Sequence, residues 1–191
     1  MQTTQRQESN GQDLFKGTIA GLVGGLVASW TMNQFQSAWS KATEGFEKPH
    51  GAQSLQPSDN PNSAQSENQN KEDNDDATVK AAKAVSEGIF GHKLKESEKK
   101  PAGAAVHYAF GSATGGLYGA AAEIAPQVTT GMGLPFGVAF WMIADEAVVP
   151  LLGLSKGPTA YPASTHVYAL ASHLVYGLTT EVTRRAVRNI L

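Results

Sequence analysis

The sequence predicts an all-α membrane protein in which four transmembrane helices form a glycine-packed bundle. Four apolar stretches of the chain are each close to the ~20 residues that a membrane-spanning helix requires. Glycines recur at every fourth position in two of them, a spacing that lets membrane helices approach closely. The chain has 20 glycines among 191 residues. Glycine-rich helices would have low stability in water, where each glycine costs ~1 kcal/mol relative to alanine. In hydrocarbon they form anyway, because unpaired backbone groups are too costly there.

Composition excludes several classes of site. The chain has no cysteine, which rules out disulfides, iron–sulfur clusters and thiolate zinc sites. The net charge of −2 gives no reason to expect a nucleic-acid partner. The mean hydropathy of −0.26 averages a polar block over residues 41–100 with an apolar remainder. The expected partner is therefore the lipid bilayer.

The composition changes along the chain define the expected segments. Residues 1–13 are expected to be a disordered tail, 14–39 the first transmembrane helix, and 40–101 a polar and largely disordered connection. Within the connection, the apolar spacing at 77–90 predicts a short amphipathic helix on the membrane surface, with a partly ordered linker as the alternative. Residues 102–188 form the membrane domain, with transmembrane helices at 103–125, 131–154 and 163–183.

Two rows of small residues predict how the helices pack. The first row lies in the first span and the second row in the next one, and Gly177 is a further packing position in the last span. Either the rows pack against each other, or they bind a helix of a partner or of a second copy in a homo-oligomer. The rows are Gly17, Gly21 and Gly25, and Gly111, Gly115 and Gly119.

A short internal similarity indicates two repeated helical hairpins. The segment Leu117-Tyr-Gly-Ala-Ala-Ala-Glu123 matches Val175-Tyr-Gly-Leu-Thr-Thr-Glu181 at Tyr, Gly and Glu. The first and third spans share Gly25 with Gly137 and Trp30 with Trp141, which brings Asn33 and Gln34 near Asp145 and Glu146 in the alignment. The hairpins would be related by an axis along the membrane normal. Chance similarity between glycine-rich helices is the alternative.

Ionisable residues within the spans are the candidate functional residues, because charge at membrane depth is costly and faces a protein interior or a wet cavity. Helical rise places several polar residues from different spans in one layer. Asp145 and Glu146 are ~100° apart on a helix, so they are expected to have different partners. The candidates for this layer are Asn33, His107, Asp145, Glu146, His166 and His173.

This layer is open to three interpretations. It can be a structural hydrogen-bond network between helices, a site that handles protons or ions, or a metal or haem site. The metal candidates are His107, His166, His173 and Asp145, although no spacing here is as specific as the H-E-x-x-H pattern. A second layer has a simpler explanation, because Glu181 has salt-bridge spacing to Arg184 and Arg185. Glu123 is expected to reach the lipid headgroups.

Three motifs are distinctive: Ala144-Asp-Glu-Ala-Val-Val-Pro150, Pro158-Thr-Ala-Tyr-Pro162, and His166 with Ser172-His-Leu-Val-Tyr-Gly177. Together they resemble the YagU-like family of uncharacterised bacterial inner-membrane proteins. The resemblance covers residues 103–185 well and the first span weakly, and the polar block lies outside it. It implies a multipass plasma-membrane protein with a link to survival in acid, but no established chemistry.

The sequence therefore favours a non-enzymatic membrane protein whose Asp145, Glu146 and histidine layer responds to pH or conducts protons or ions. An intramembrane metal- or haem-binding protein, which could be an enzyme, and a membrane scaffold or assembly subunit are the alternatives. The sequence requires no cofactor. Arginines lie on the side of the termini and most lysines on the other side, and the long first connection weakens the positive-inside rule, which holds for loops shorter than ~60 residues. We expect both termini on the cytoplasmic side.

Overall fold

The structure is a computed structural model that describes residues 2–43 and 75–191, with side chains described from residue 11 onward. Helix α1 spans Gln2–Ala42 and α2 spans Ala77–Phe90. Helix α3 spans Glu96–Ile124, α4 spans Leu134–Leu151, and α5 spans Ala163–Arg188. Within these ranges the ordered elements are all helical. The protein is therefore all-α, as the sequence predicts.

The ends of the helices differ in part from the expected segments. Helix α1 begins at Gln2, so residues expected to be a disordered tail continue the first helix, where Gln, Arg and Glu are good helix formers. Helix α2 has the bounds expected for the amphipathic helix. The disordered block expected between residues 51 and 76 falls almost entirely outside the described residues.

Helix α1 is central to the bundle. It packs lengthwise against both α3 and α5, while α4 packs along α5, and α2 lies on α3. The glycine contacts described below run in opposite residue order on the two helices of each pair. Helices α1 and α3 are therefore antiparallel, and so are α4 and α5.

The two predicted glycine rows pack against each other within the chain. A Cβ atom added to Gly21 would collide with the backbone of Gly115, and one added to Gly25 would collide with the backbone of Gly111. One added to Gly119 would strike the carbonyl oxygen of Gly17. The α1 and α3 backbones touch directly here, which only glycine permits. A partner or a second copy would consequently have to bind another surface, because the rows cover each other.

Helices α4 and α5 meet through a second set of glycines. A Cβ atom at Gly137 would collide with the backbone of His173, and one at Gly177 would collide with the carbonyl oxygen of Gly133. Gly133 caps the start of α4 in the left-handed conformation, with φ of 80°, which glycine adopts without steric cost. Gly177 is therefore a packing position, in agreement with the sequence analysis.

The apolar core lies where α1, α4 and α5 meet. Ala28, Met32 and Tyr176 are almost fully buried, and Phe136 and Phe140 pack against them. The Tyr176 hydroxyl donates a hydrogen bond of 2.6 Å to the carbonyl oxygen of Gly111. This bond ties α5 to α3 at a depth where few polar groups are available, so it fixes the relative height of the two helices.

Two of the described helices are long and apolar enough to cross a membrane, namely Gly11–Ala42 and Leu134–Leu151. Large apolar side chains also lie on the outer surface of the bundle. Phe15, Trp30, Leu117 and Ile143 are each more than half exposed. Such a surface is typical of protein that faces lipid or another protein rather than water.

Candidate functional site at a wide turn of helix α4

The candidate site is built on a local irregularity of α4. Residues Ala144–Val148 form a π-helical turn, which holds one more residue than an α-helical turn and is frequent at functional sites. Pro150 follows inside the same helix and has no N–H to donate to the carbonyl of Glu146, four residues earlier. The wider turn therefore occurs where the regular hydrogen-bond ladder is already interrupted. It carries both predicted carboxylates, Asp145 and Glu146.

Glu146 pairs with His166 at the start of α5. Its carboxylate oxygen Oε1 lies 2.7 Å from His166 Nδ1, and His166 Nε2 lies 3.0 Å from the carbonyl oxygen of Pro158. The carbonyl can only accept, so Nε2 carries a proton. One further proton is then shared between Nδ1 and the carboxylate, either as imidazolium with carboxylate or as neutral imidazole with carboxylic acid. Both side chains are about a quarter exposed.

Asp145 pairs with a different and more deeply buried histidine. Its Oδ2 lies 3.7 Å from Nδ1 of His173, whose side chain is completely buried. The same nitrogen lies 2.9 Å from the carbonyl oxygen of Ala169, one turn earlier on α5. The expectation that the two carboxylates have different partners is therefore met. The pairs differ in access, because only the Glu146–His166 pair is partly exposed.

The remaining two members of the predicted layer lie on α1 and α3. Asn33 donates a hydrogen bond of 3.1 Å to the Tyr108 hydroxyl. His107 is 7% exposed and packs edge-on against Tyr108 with ring centroids 5.5 Å apart. Asn33 therefore belongs to a neutral contact between α1 and α3, and His107 is buried beside it.

Several buried polar atoms around this layer have no hydrogen-bond partner within the described part of the protein. Leaving such atoms unpaired costs about 1–3 kcal/mol each, so they mark places where a small polar molecule would be stabilised. Those close to the site in sequence or contact are Asn33 Oδ1, His107 Nε2, Trp141 Nε1, Thr165 Oγ1 and His173 Nε2.

A second group of charges lies at the other end of the bundle. Glu181 is fully buried and accepts hydrogen bonds of 2.8 and 3.0 Å from Arg184, together with one from Arg185. The helix salt bridge expected from their spacing is therefore present. Glu123 accepts a hydrogen bond of 2.8 Å from Arg188 Nε, and its contact with lipid headgroups stays a prediction.

The corner between α2 and α3 holds the charges of the polar segment. Asp75 lies within 3.3 Å of Lys83 and 3.2 Å of Lys99, and Lys99 also contacts Glu96 at 2.7 Å. The hydrogen bond from Lys99 to Glu96 raises the pKa of Lys99. The backbone N–H of Lys95 lowers the pKa of Glu98. These residues fix α2 on α3 and contribute nothing to the layer.

Across the described ranges, no three His, Asp or Glu side chains are placed so that they could hold one metal ion. Asp145 and Glu146 point to separate histidines, and His166 uses both ring nitrogens in contacts with the protein. The metal candidates of the sequence analysis, His107, His166, His173 and Asp145, are therefore distributed over two places. The arrangement suits proton exchange between carboxylates and imidazoles better than metal coordination.

Two features of the site were not expected from the sequence. The carbonyls of Pro158 and Ala169 set the hydrogen bonding of the two histidines, and the π turn separates the two carboxylates. Pro150, four residues after Glu146, is the signal that could have indicated an irregular turn. No sequence signal could have indicated the carbonyl partners, because every residue has the same backbone carbonyl group whatever its side chain.

The fold and the site together define an all-helical protein with two helices suited to a membrane and a layer of paired carboxylates and imidazoles. The family model described as "Protein of unknown function (DUF1440)" matches residues 84–182, which is more than half of the chain. The chain belongs to this uncharacterised family. The match contains α3, α4 and most of α5, and hence every candidate residue of the layer except Asn33. No curated protein and no solved structure matches the chain.

Proposed function

We propose that this chain is a YagU-like integral membrane protein that takes up, releases or conducts protons through the Asp145, Glu146 and histidine layer. The observation that carries the proposal is the arrangement at the π turn. Two adjacent carboxylates meet two different histidines of α5, one pair partly exposed and the other buried. The partly exposed pair can exchange protons with solvent, and the buried pair lies further inside.

The chemistry of these groups fits the proposal. Histidine titrates near neutral pH, and its partner carboxylate can hold the same proton. Because Glu146 and His166 share a proton between them, the pair can gain one in acid with little change in geometry. A structural network of neutral hydrogen bonds would not need carboxylates, which are expensive in a membrane. The link to acid survival that the resemblance implies is consistent with such a layer.

The membrane setting is part of the proposal. Four spans, within α1, α3, α4 and α5, would cross the plasma membrane of a bacterium, with both termini cytoplasmic. Support comes from the two long apolar helices and from the exposed apolar side chains on the outside of the bundle. The glycine contacts between α1 and α3 support it as well, since close backbone packing is the usual way in which membrane helices associate.

The chain would also contain two related hairpins. In both hairpins, glycines of the first helix lie against the backbone of the second helix. Gly137 lies against the carbonyl oxygen of His173, which aligns with Gly115, and the carbonyl oxygen of Gly115 lies against Gly21 rather than Gly25. The contacts are therefore one helical turn away from the alignment of Gly25 with Gly137. The shared glycine packing supports two related hairpins, with chance similarity as the alternative.

The proposal can be tested with purified protein in liposomes that contain a pH-sensitive dye. An imposed pH gradient should decay faster with the wild-type protein than with the double variant Asp145→Asn/Glu146→Gln. We expect the rate to fall about tenfold or more, which corresponds to a barrier raised by roughly 1.4 kcal/mol. The variant keeps the size of both side chains and removes their charge and their ability to exchange a proton.

Glu87→Gln is the matched control, because Glu87 is an exposed acid on α2 outside the layer. It should leave the rate unchanged. If the protein binds protons without conducting them, the flux assay will not detect it. Thermal unfolding in detergent between pH 5 and pH 8 is therefore the second measurement, because proton binding makes stability depend on pH. Equal flux and equal pH dependence of unfolding in wild type and the double variant would refute the proposed function.

A further inference from the structure

The second half of α2 exposes large apolar side chains. The residues that α2 buries, Ala77, Val79 and Ala82, all lie in its first half. In the second half, Ile89 is 73% exposed and Phe90 is 75% exposed. The packing of α2 against the bundle is therefore confined to its first half, and the second half extends beyond it.

The exposed side chains continue the apolar stripe of the helix. Val79 and Ala82 are followed by Val85 and Ile89 at intervals of three and four residues, which places them on one face. An apolar face that extends past its contact with the protein indicates a second apolar surface that covers it. The charged residues of the helix lie on the opposite face: Lys80, Lys83 and Glu87.

The contact between α2 and α3 lies where α3 changes from charged to apolar. Lys99 Nζ is 3.2 Å from a carboxylate oxygen of Asp75, and a Cβ atom added to Gly103 would lie 2.8 Å from a methyl group of Val79. Residues 101–122 contain no Asp, Glu, Lys or Arg. In the proposed four-span arrangement this change marks the membrane boundary, so α2 lies at the depth of the lipid headgroups.

The chain turns back sharply after α2. Gly91 has φ of 63°, a conformation that glycine adopts without steric cost. The His92 N–H donates a hydrogen bond of 3.1 Å to the Ser86 carbonyl oxygen, and the Ser86 hydroxyl donates one of 2.7 Å to the His92 carbonyl oxygen. These two bonds hold the connection to α3 beside the last turn of α2.

This connection and the start of α3 bring lysines next to the exposed apolar side chains. The acids closest to these lysines in sequence have partners of their own, because Glu96 contacts Lys99 at 2.7 Å and Glu98 contacts His92 at 3.2 Å. Apolar side chains bordered by lysines match the boundary of an anionic bilayer, where acyl chains meet phosphate groups. The lysines are all exposed: Lys93, Lys95 and Lys100.

We infer that the second half of α2 binds the surface of a bilayer that contains anionic phospholipid. Val85, Ile89 and Phe90 enter the boundary between headgroups and acyl chains, about 5–10 Å deep, and the neighbouring lysines bind lipid phosphates. Lipid is the favoured occupant because the apolar side chains, the lysines and the last charges of α3 coincide at one level. The inference rests on the proposed membrane setting and adds a lipid contact on the side opposite the termini.

Single cysteines can report the depth of each position, because the chain has no cysteine of its own. Spin labels on Ile89→Cys and Phe90→Cys, in liposomes of equal parts phosphatidylcholine and phosphatidylglycerol, should be reached by oxygen and shielded from a water-soluble nickel chelate. A label on Glu87→Cys, on the opposite face, should give the reverse. Leu117→Cys, at an exposed position of α3, is the reference for a lipid-facing position in a span.

Three outcomes would overturn the inference. Labels at residues 89 and 90 that lie in water, with the Leu117→Cys label in lipid, would do so and leave the membrane setting intact. A Leu117→Cys label in water would refute the membrane setting and the inference with it. Dipolar broadening between labels at residue 90 of two chains would mean that a second copy covers this face instead of lipid.

The variant Lys93→Gln/Lys95→Gln/Lys100→Gln tests the part played by lipid charge. With the lysines present, the label on Phe90→Cys should lie deeper in vesicles that contain phosphatidylglycerol than in phosphatidylcholine alone, and the triple variant should lose this difference. Lys156→Gln, which removes an exposed lysine from another connection, should keep it. Equal depth in both lipids with the lysines present would show that they bind no phosphate and would overturn the inference.

Discussion

Two pairs of helices in this molecule share a packing geometry and differ in chemistry. In the α1/α3 pair, Gly21 and Gly25 touch the backbone of Gly115 and Gly111, and the ionisable side chain at the end of this row is that of Glu123, which lies against Gly17. In the α4/α5 pair, Gly137 touches the backbone at His173, which corresponds to Gly115. The comparison shows that close helix contact alone does not make a site. The site arises where one pair replaces a glycine with an imidazole.

The two pairs also differ in the polar contacts that lie beyond the glycines. On α1, Asn33 contacts Tyr108 of α3, whereas on α4, Glu146 contacts His166 of α5. Tyr108 and His166 each lie ten residues before the matching tyrosines of α3 and α5. The π turn of α4 carries Asp145 in addition to Glu146.

The pairs also differ in how they meet the rest of the bundle. Gly24 and Ala28 on α1 allow α5 to approach closely, and a Cβ atom on Gly24 would lie 2.7 Å from the carbonyl oxygen of Thr180. On α4, Phe136 and Phe140 instead reach α3 through ring contacts with Tyr118 and Phe110. Small residues place α1 at the centre of the bundle, and large ones keep α4 at its side.

The largest expected effect concerns the contact that has no side chains. Gly115→Val should prevent folding or lower the free energy of unfolding by about 5 kcal/mol or more, because its Cβ would meet backbone atoms of Gly21 and Gly25, which cannot rotate away. Thermal unfolding in detergent measures this. Gly88→Ala, with open space around the added Cβ, should be neutral or slightly stabilising. A stable, well-folded Gly115→Val protein would show that α1 and α3 do not touch here.

A smaller effect is expected at the aromatic contact of α4. Phe140→Ala should lower the free energy of unfolding by about 3 kcal/mol, the lower end of the range for this substitution because the ring is only partly buried. It should also increase water access to His173, whose ring it covers. Unfolding and exchange of the His173 signal with water report the two consequences. Loss of stability with unchanged exchange would show that Phe140 only packs and does not shield the site.

The smallest of the three effects is expected when a carboxylate is introduced into the α1/α3 pair. Asn33→Asp should lower the free energy of unfolding by roughly 2.5 kcal/mol, since the new charge lies in α1, one of the proposed spans, and contacts a tyrosine rather than a histidine. The loss should diminish at low pH, where the new carboxyl group becomes neutral. Unfolding of the variant and the wild type at pH 5 and pH 8 measures it. Equal stability at both values would mean that α1 tolerates a carboxylate as well as α4 does.

The sequence indicated much of this architecture. The apolar runs predicted the positions of α1, α3, α4 and α5, and periodicity predicted the amphipathic helix at 77–90, because both depend on local spacing. They did not predict that α1 begins at Gln2 and α3 at Glu96, where polar residues continue the helix. The spacing of Glu181 and Arg184 predicted their salt bridge for the same reason. The reach of Arg188 to Glu123 could not be predicted, because it depends on how far α5 extends past α3. That distance is set by packing along the whole bundle.

The sequence by itself determined that the chain is helical, that its glycine rows would pack closely, and that the carboxylates of α4 would take different partners. These conclusions need only the period of the helix and the size of side chains. Only the tertiary structure decided that the rows bury each other, and that Asp145 meets His173 while Glu146 meets His166. The physical reason is that helix rotation and height come from the sum of many contacts, and a π turn changes the rotation of everything that follows it.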